Sequence, residues 1–185
     1  MAKQFEALSA AHRAFILRQH IFFTASAAPG SRINVSPREI GALRILDDNT
    51  VVYLDRTGSG NETAAHMLAD GRMTIMFCAV EGPPQIMRLY GRGRSIGWET
   101  PEFAELTATQ YGEAPLGTRQ IMRLDFDLVQ TSCGYGVPLF DYQGERAAIE
   151  NWHDNKGPEG IAAYWEAENL SSMDGLPTGL KVGEG

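Results

Sequence analysis

The sequence predicts a mainly β protein: a small antiparallel barrel of about six strands, with helices packed on its outside and a helical extension at the C-terminal end. Three observations carry this reading. Runs of β-branched and aromatic residues recur at short spacing between Ile21 and Gln130. The runs are separated by tight clusters of Gly, Pro, Asn and Asp, drawn from 20 glycines and 9 prolines in 185 residues. Helical periodicity is confined to the start of the chain, two short interruptions and the end.

Taken in order, Phe5 to His20 places Phe5, Leu8, Phe15 and Ile16 at helical spacing and predicts an amphipathic helix. Residues 21–25 and 32–36 read as strands joined by the Ala28-Pro29-Gly30 turn, and residues 42–46 and 51–55 as a second pair around Asp47-Asp48-Asn49. Such short connections make the sheet antiparallel. A loop from Thr57 leads into a helix over 62–68, with Asn61 as its N-cap and Asp70-Gly71 as its stop. Two long strands, 73–80 and 86–96, flank the turn Glu81-Gly82-Pro83-Pro84. Thr100-Pro101 opens a short helix, because threonine caps and proline suits the first helical position. Residues 119–130 alternate as the last long strand. The kinked passage Gly134 to Pro138 then leads to two helices, 145–153 and 159–169, and a tail rich in glycine and proline. The expected organisation is a barrel with its N-terminal helix over 1–143 and an extension over 144–185 packed on it.

Composition excludes several function classes. With 16 basic and 23 acidic residues the formal charge is −7, which argues against a nucleic-acid backbone as partner. No apolar run reaches the roughly 18–20 residues that span a bilayer, and the start, MAKQFEALSA, lacks the apolar segment of an export signal, so a cytoplasmic protein is expected. Cys78 and Cys133 form no CxxC and are expected to be reduced thiols. His12, His20, His66 and His153 are scattered, none with a partner at metal-ligand spacing, so no metal is expected. Ser36 and Cys133 lack a nucleophile signature such as GxSxG.

The most informative unit is strand, loop and helix from Tyr53 to Leu68. Free backbone N–H groups at a helix N-terminus, opened by small residues, make an anion site. The loop TGSGNET at 57–63 is neither a Walker A motif nor a dinucleotide fingerprint, and glycine-serine loops also simply cap helices. Arg56 precedes the loop, and Arg88, Arg92 and Arg94 alternate along one strand and so share a face. A guanidinium suits bidentate phosphate recognition, although exposed arginines more often line a solvated face. Arg88, within Ile86-Met87-Arg88-Leu89-Tyr90, needs a partner. Tyr135, Phe140, Tyr142, Trp152, Tyr164 and Trp165 can either wall a pocket or anchor helices onto the barrel.

INVSP at 33–37, VVYLDRTGSGNETAAHMLADGRMTIMF at 51–77 and QIMRLYGRG at 85–93 together resemble the FMN-binding split-barrel proteins of the pyridoxamine 5'-phosphate oxidase family. The resemblance spans roughly residues 12–146, and CGYGVPLFDYQGER with the later DGLP is similar to an uncharacterised branch of that family. It implies a homodimer of six-stranded barrels with FMN at the subunit interface. It also implies phosphate contacts at Arg32, at Ser36-Pro37 and at the triplet Asn61-Glu62-Thr63, where Pro37 and Thr63 stand in place of the usual lysines. Phosphate binding is then expected to rest on Ser59, Asn61, Thr63, the helix N-terminus and either Arg56 or Arg88. Ring contacts fall on the main chain of Asn34-Val35-Ser36 and Tyr53-Leu54-Asp55. The implied activity is hydride transfer between a reduced nicotinamide and a small acceptor, which needs no acid or base from the protein. The alternative is a non-catalytic flavin, haem or deazaflavin carrier or sensor. No arginine follows Arg146, so vitamin B6 oxidation is not expected.

Overall fold

The computed structural model describes residues 2–182. Eight strands form one antiparallel sheet that curls into a half-barrel. They are β1 (Lys3–Phe5), β2 (Ile21–Ser26), β3 (Asn34–Glu39), β4 (Leu43–Ile45), β5 (Thr50–Arg56), β6 (Arg72–Cys78), β7 (Gln85–Gly97) and β8 (Thr118–Cys133). Their spatial order is β3-β2-β6-β7-β8-β5-β4, with β1 added on β8. The count exceeds six because β1 and β4, of three residues each, extend the long strands. β1 is also a correction: Phe5 lies in a strand rather than a helix, and α1 (Ala10–Leu17) starts later. The reason is a capping box, in which Ser9 Oγ accepts from His12 N and Ser9 N donates to His12 Nδ1, each at 3.2 Å.

The core fills the concave face. Met73, Ile75 and Phe77 of β6 alternate inward and meet Phe22, Tyr53, Leu89, Met122 and Leu124. Burial of a side chain of this size contributes about 1.5–3 kcal/mol. Helix α2 (Glu62–Ala69) lays Ala64, Ala65 and Met67 onto this body. Helix α3 (Pro101–Leu106) starts as expected, with Thr100 Oγ1 accepting from Phe103 N at 3.2 Å, and runs into a π turn, Thr107–Tyr111. Beyond β8, α4 (Ala148–Tyr164) breaks at Gly157 (φ 65°, ψ 172°) before Pro158 and continues as a π turn, Trp165–Asn169. The two expected C-terminal helices are therefore the two sides of one kink. Trp165, Ile161 and Leu180 form a second small core against Trp98, whose Nε1 donates to Lys181 O at 2.8 Å. The extension is described as far as residue 182.

Two glycines of β7 set where α2 sits. A Cβ at Gly93 would stand 2.5 Å from Met67 Sδ and 2.9 Å from Met73 Sδ, so the bare backbone is the bed into which α2 sinks. At Gly91 a Cβ would overlap the Asp125 carbonyl, next to the register shift that β7 and β8 make between Tyr90 and Gly91. A backbone obstacle cannot swing aside, whereas a methionine can. Gly91→Ala is thus expected to destabilise by about 1–3 kcal/mol and Gly93→Ala by less, measured as the shift in urea midpoint.

Candidate functional site

A polar cleft of about 450 Å³ opens between β3, the end of β5, the loop after it and the start of α2. Period-two geometry turns Asn34, Ser36 and Arg38 of β3 into the cleft. The same geometry leaves Val35 outward, 61% exposed on this edge strand, and Ile33, just before β3, is 74% exposed. Asp55 and Arg56 close one end, Gly58 to Thr63 form the other wall, and Arg119 of β8 forms the floor.

Asp55 organises this floor. Its carboxylate, 1% exposed, accepts from Arg119 Nε at 2.8 Å and Gln120 Nε2 at 2.7 Å, while Arg38 Nη1 pairs with it at 2.8 Å. Burial alone pushes the Asp55 carboxyl up. The facing guanidiniums of Arg119 and Arg38, with the Gln120 amide, more than offset that and hold it below the usual carboxylate range. Two guanidiniums thus face one carboxylate beside the cleft, and the other wall carries the Glu62 carboxylate. Arg38 also lies over the Tyr53 ring, and its buried Nε has no partner among the described residues.

The loop is built to expose amides. Thr57 N donates to Gly117 O at 2.8 Å and Ala65 N to Asn61 O at 3.3 Å. Between them, the amides of residues 58–64 have no acceptor among the described residues. Asn61 takes the N-cap position, yet its side chain makes no cap, which corrects the sequence expectation. Its Oδ1 accepts from Gln120 Nε2 at 2.7 Å and its Nδ2 donates to Asn169 O at 3.2 Å. The start of α2 therefore keeps its N–H groups for another acceptor. Thr63 Oγ1 accepts from Asn34 Nδ2 at 3.1 Å, joining the two walls.

Of the residues singled out from sequence, Asn34, Ser36, Asp55, Arg56, Ser59, Asn61 and Thr63 line this cleft. The side chains of Tyr53 and Leu54 are buried in the barrel core, and Val35 faces outward. Arg32 lies apart, its guanidinium paired with Asp174 and its N–H donating to Asp174 Oδ2 at 2.8 Å. Arg88 is on β7, where Nη1 donates weakly to Ser132 Oγ at 3.4 Å. Arg92 and Arg94 are used locally, by Asp70 O and Glu102. Arg56 divides its guanidinium between Glu150 Oε1 at 2.5 Å and His153 Nδ1 at 3.0 Å, both on α4. Sequence reasoning missed Arg38, Arg119 and Asn169. The signal for Arg119 was available: it opens the strand run Thr118-Arg119-Gln120-Ile121-Met122, where a cation needs a partner.

Beside the cleft, and sharing Arg38, lies a more apolar groove of about 740 Å³. It runs between β2, β3 and the passage after β8, with Phe23, Pro37, Phe140 and Ile149 in its walls. Tyr142 stacks flat on His20 there, ring centroids 3.8 Å apart.

Residues 8–133 match the sequence profile of pyridoxamine 5'-phosphate oxidase. A pyridoxamine 5'-phosphate oxidase family protein of Aspergillus flavus, ustO, is 41% identical over 191 residues, taking in 94% of this chain and 76% of that protein. The chain belongs to this family. Solved structures share its fold at low identity. A variant of HupZ from Group A Streptococcus superimposes with a TM-score of 0.54 and 16% identity, over 67% of this chain and 98% of that one. The heme storage protein HutZ of Vibrio cholerae gives 0.51 and 13%, over 69% and 97%. The family match ends at the last residue of β8, so α4 and the tail lie outside it. Among the described residues no helix is long and apolar enough to cross a membrane.

Two outcomes follow from the site's electrostatics. Arg119→Met leaves Asp55 buried with one cation fewer and is expected to cost about 3–5 kcal/mol in denaturant unfolding. Burial, then the neighbouring Arg56 guanidinium, hold the His153 imidazole below its ordinary value, and burial does the same to His12. Both stay neutral in the fold while the unfolded chain takes up protons, so stability is full above about pH 6.5 and falls on acidification below it. Asp55, shifted down, adds a further loss below about pH 4. His153→Gln is expected to flatten the upper part of that profile, measured as melting temperature against pH.

Proposed function

We propose that this protein binds FMN in the polar cleft and passes hydride between a reduced nicotinamide and a small organic acceptor. The observation that carries the proposal is the run of amides 58–64 without an acceptor among the described residues, set beside the Arg38 guanidinium in a polar cleft. Membership of the pyridoxamine 5'-phosphate oxidase family supports it. The phosphate is held by the amides of Ser59 to Thr63 and the Thr63 hydroxyl, with Arg38 as the nearby cation. Asn34 and Ser36 orient the remainder from β3, helped by main chain of β5 at Leu54-Asp55. Arg32 and Arg88 take no part, since neither lines the cleft. Among the described residues no histidine, cysteine or methionine lines the cleft, so it offers no side-chain axial ligand of those types, which favours a flavin over haem.

Bound FMN supplies the hydride chemistry. The chain contributes an anion cradle, a fixed orientation and a dry floor. The apolar groove that shares Arg38 is where the small acceptor docks. The exposed Val35 on the edge strand beside the cleft, with the exposed Ile33 just before it, supports a homodimer that completes the site from the partner.

Purified protein is expected to show the visible bands of a flavin, to quench FMN fluorescence on titration, and to lose those bands when a reduced nicotinamide is added without oxygen. Arg38→Gln keeps Asp55 paired with Arg119 and is expected to weaken FMN about tenfold, or about 1.4 kcal/mol. A colourless protein that leaves FMN fluorescence untouched would overturn the proposal, and a haem spectrum in its place would favour the carrier reading.

A further inference from the structure

We infer that Asn169 is a positioning residue for the anion-binding loop, so that the chain beyond β8 is a working part of the cofactor site. The inference rests on the FMN reading above for the identity of the ligand, and on geometry for everything else.

Asn169 ends the π turn after α4 and is fully buried. Its Oδ1 accepts from Arg119 Nη1 at 2.8 Å, and its Nδ2 donates to Gly58 O at 3.1 Å. Its main-chain oxygen accepts from Asn61 Nδ2 at 3.2 Å and from Thr178 Oγ1 at 2.7 Å. One residue thus touches both ends of the loop and the cation beneath it. Arg119 Nη2 in turn donates to Gly60 O at 2.8 Å. Trp165 Nε1 donates to Thr57 Oγ1 at 2.7 Å, fixing the residue before the loop from the same extension.

These bonds decide which way the loop's peptides face. In a trans peptide the carbonyl of one residue and the N–H of the next point in opposite directions, and the described chain contains no cis bond. Asn169 draws Gly58 O inward, which turns the Ser59 N–H away from it. Arg119, itself held by Asn169, draws Gly60 O inward and turns the Asn61 N–H away in the same manner. Once these carbonyls lose their inward donors, two glycine-flanked peptides are free to rotate, and a carbonyl facing an anion repels it. The carboxamide is required for this, because only it offers an acceptor to Arg119 and a donor to Gly58 O together. A carboxylate keeps the first contact, loses the second and adds negative charge beneath the cleft.

The test compares FMN with riboflavin, which lacks the phosphate, on the full chain. Asn169→Asp is expected to weaken FMN about tenfold, or about 1.4 kcal/mol, with riboflavin affinity changed by less than about twofold. Thr178→Val, which removes the hydroxyl that donates to the Asn169 carbonyl and accepts from Leu180 N, is the milder variant should Asn169→Asp fold poorly, and is expected to shift FMN in the same direction by less. Equal weakening of both ligands, or of neither, would overturn the inference. Inorganic phosphate separates it from the FMN reading. If the wild type binds no flavin but phosphate raises its melting temperature, and Asn169→Asp abolishes that rise, the FMN reading falls and the inference stands. If phosphate raises both proteins equally, or neither, the inference falls.

Discussion

The buried pairing of Asp55 with Arg119 is the interaction on which the rest of the site depends. It joins β5 to β8 inside the sheet, and each remaining bond of the Arg119 guanidinium reaches a different part of the chain: Gly60 in the loop and Asn169 in the extension. A lone buried ion of either sign would be costly, and a pair costs less only when its leftover donors are satisfied. Here each of the two terminal nitrogens of Arg119 donates to the loop or to what holds it. Arg38 then adds a second cation against the same carboxylate at the edge of the cleft. Within a chain of formal charge −7, two guanidiniums are thus gathered against one buried carboxylate.

The same site depends on the glycines of β7, far away in sequence. Gly93 gives the sheet a hollow that receives Met67, and this seats α2 so that its first turn faces β3, while Gly91 lets β7 pass close to the β8 backbone. The N-cap position is then the point where helix, loop and sheet meet. Asn61 uses its side chain to bind Gln120 and Asn169 rather than to cap, which leaves the helix start open to a ligand. A better capped α2 would be a more stable helix and a poorer anion cradle.

Much of this is legible in the order of residues. The strand pairs, the Thr100-Pro101 helix start and the break at Gly157-Pro158 follow from local rules of turn and cap chemistry, and the structure keeps them within a few residues. The TGSGNET loop also declares itself, because glycine and small polar residues before a helix are local signals. Phe5 is the exception, since its spacing suits a helix while Ser9 stops that helix from extending backward. Arg32 and Arg88 look as suitable as Arg38, since a guanidinium in a strand reads alike whatever faces it. The partners that distinguish them, Asp174 for Arg32 and Asp55 for Arg38, come from other elements.

By itself, then, the sequence determined the antiparallel sheet, its turns, the family and the glycine-bearing loop that opens α2, because each is written in residues close together along the chain. Only the tertiary structure decided which cations lie beside that loop and which bonds hold it. Arg119 meets Asp55 across 64 residues and Asn169 meets Gly58 across 111. Contacts over such separations are set by how the sheet curls and where the extension folds back, which no local spacing encodes.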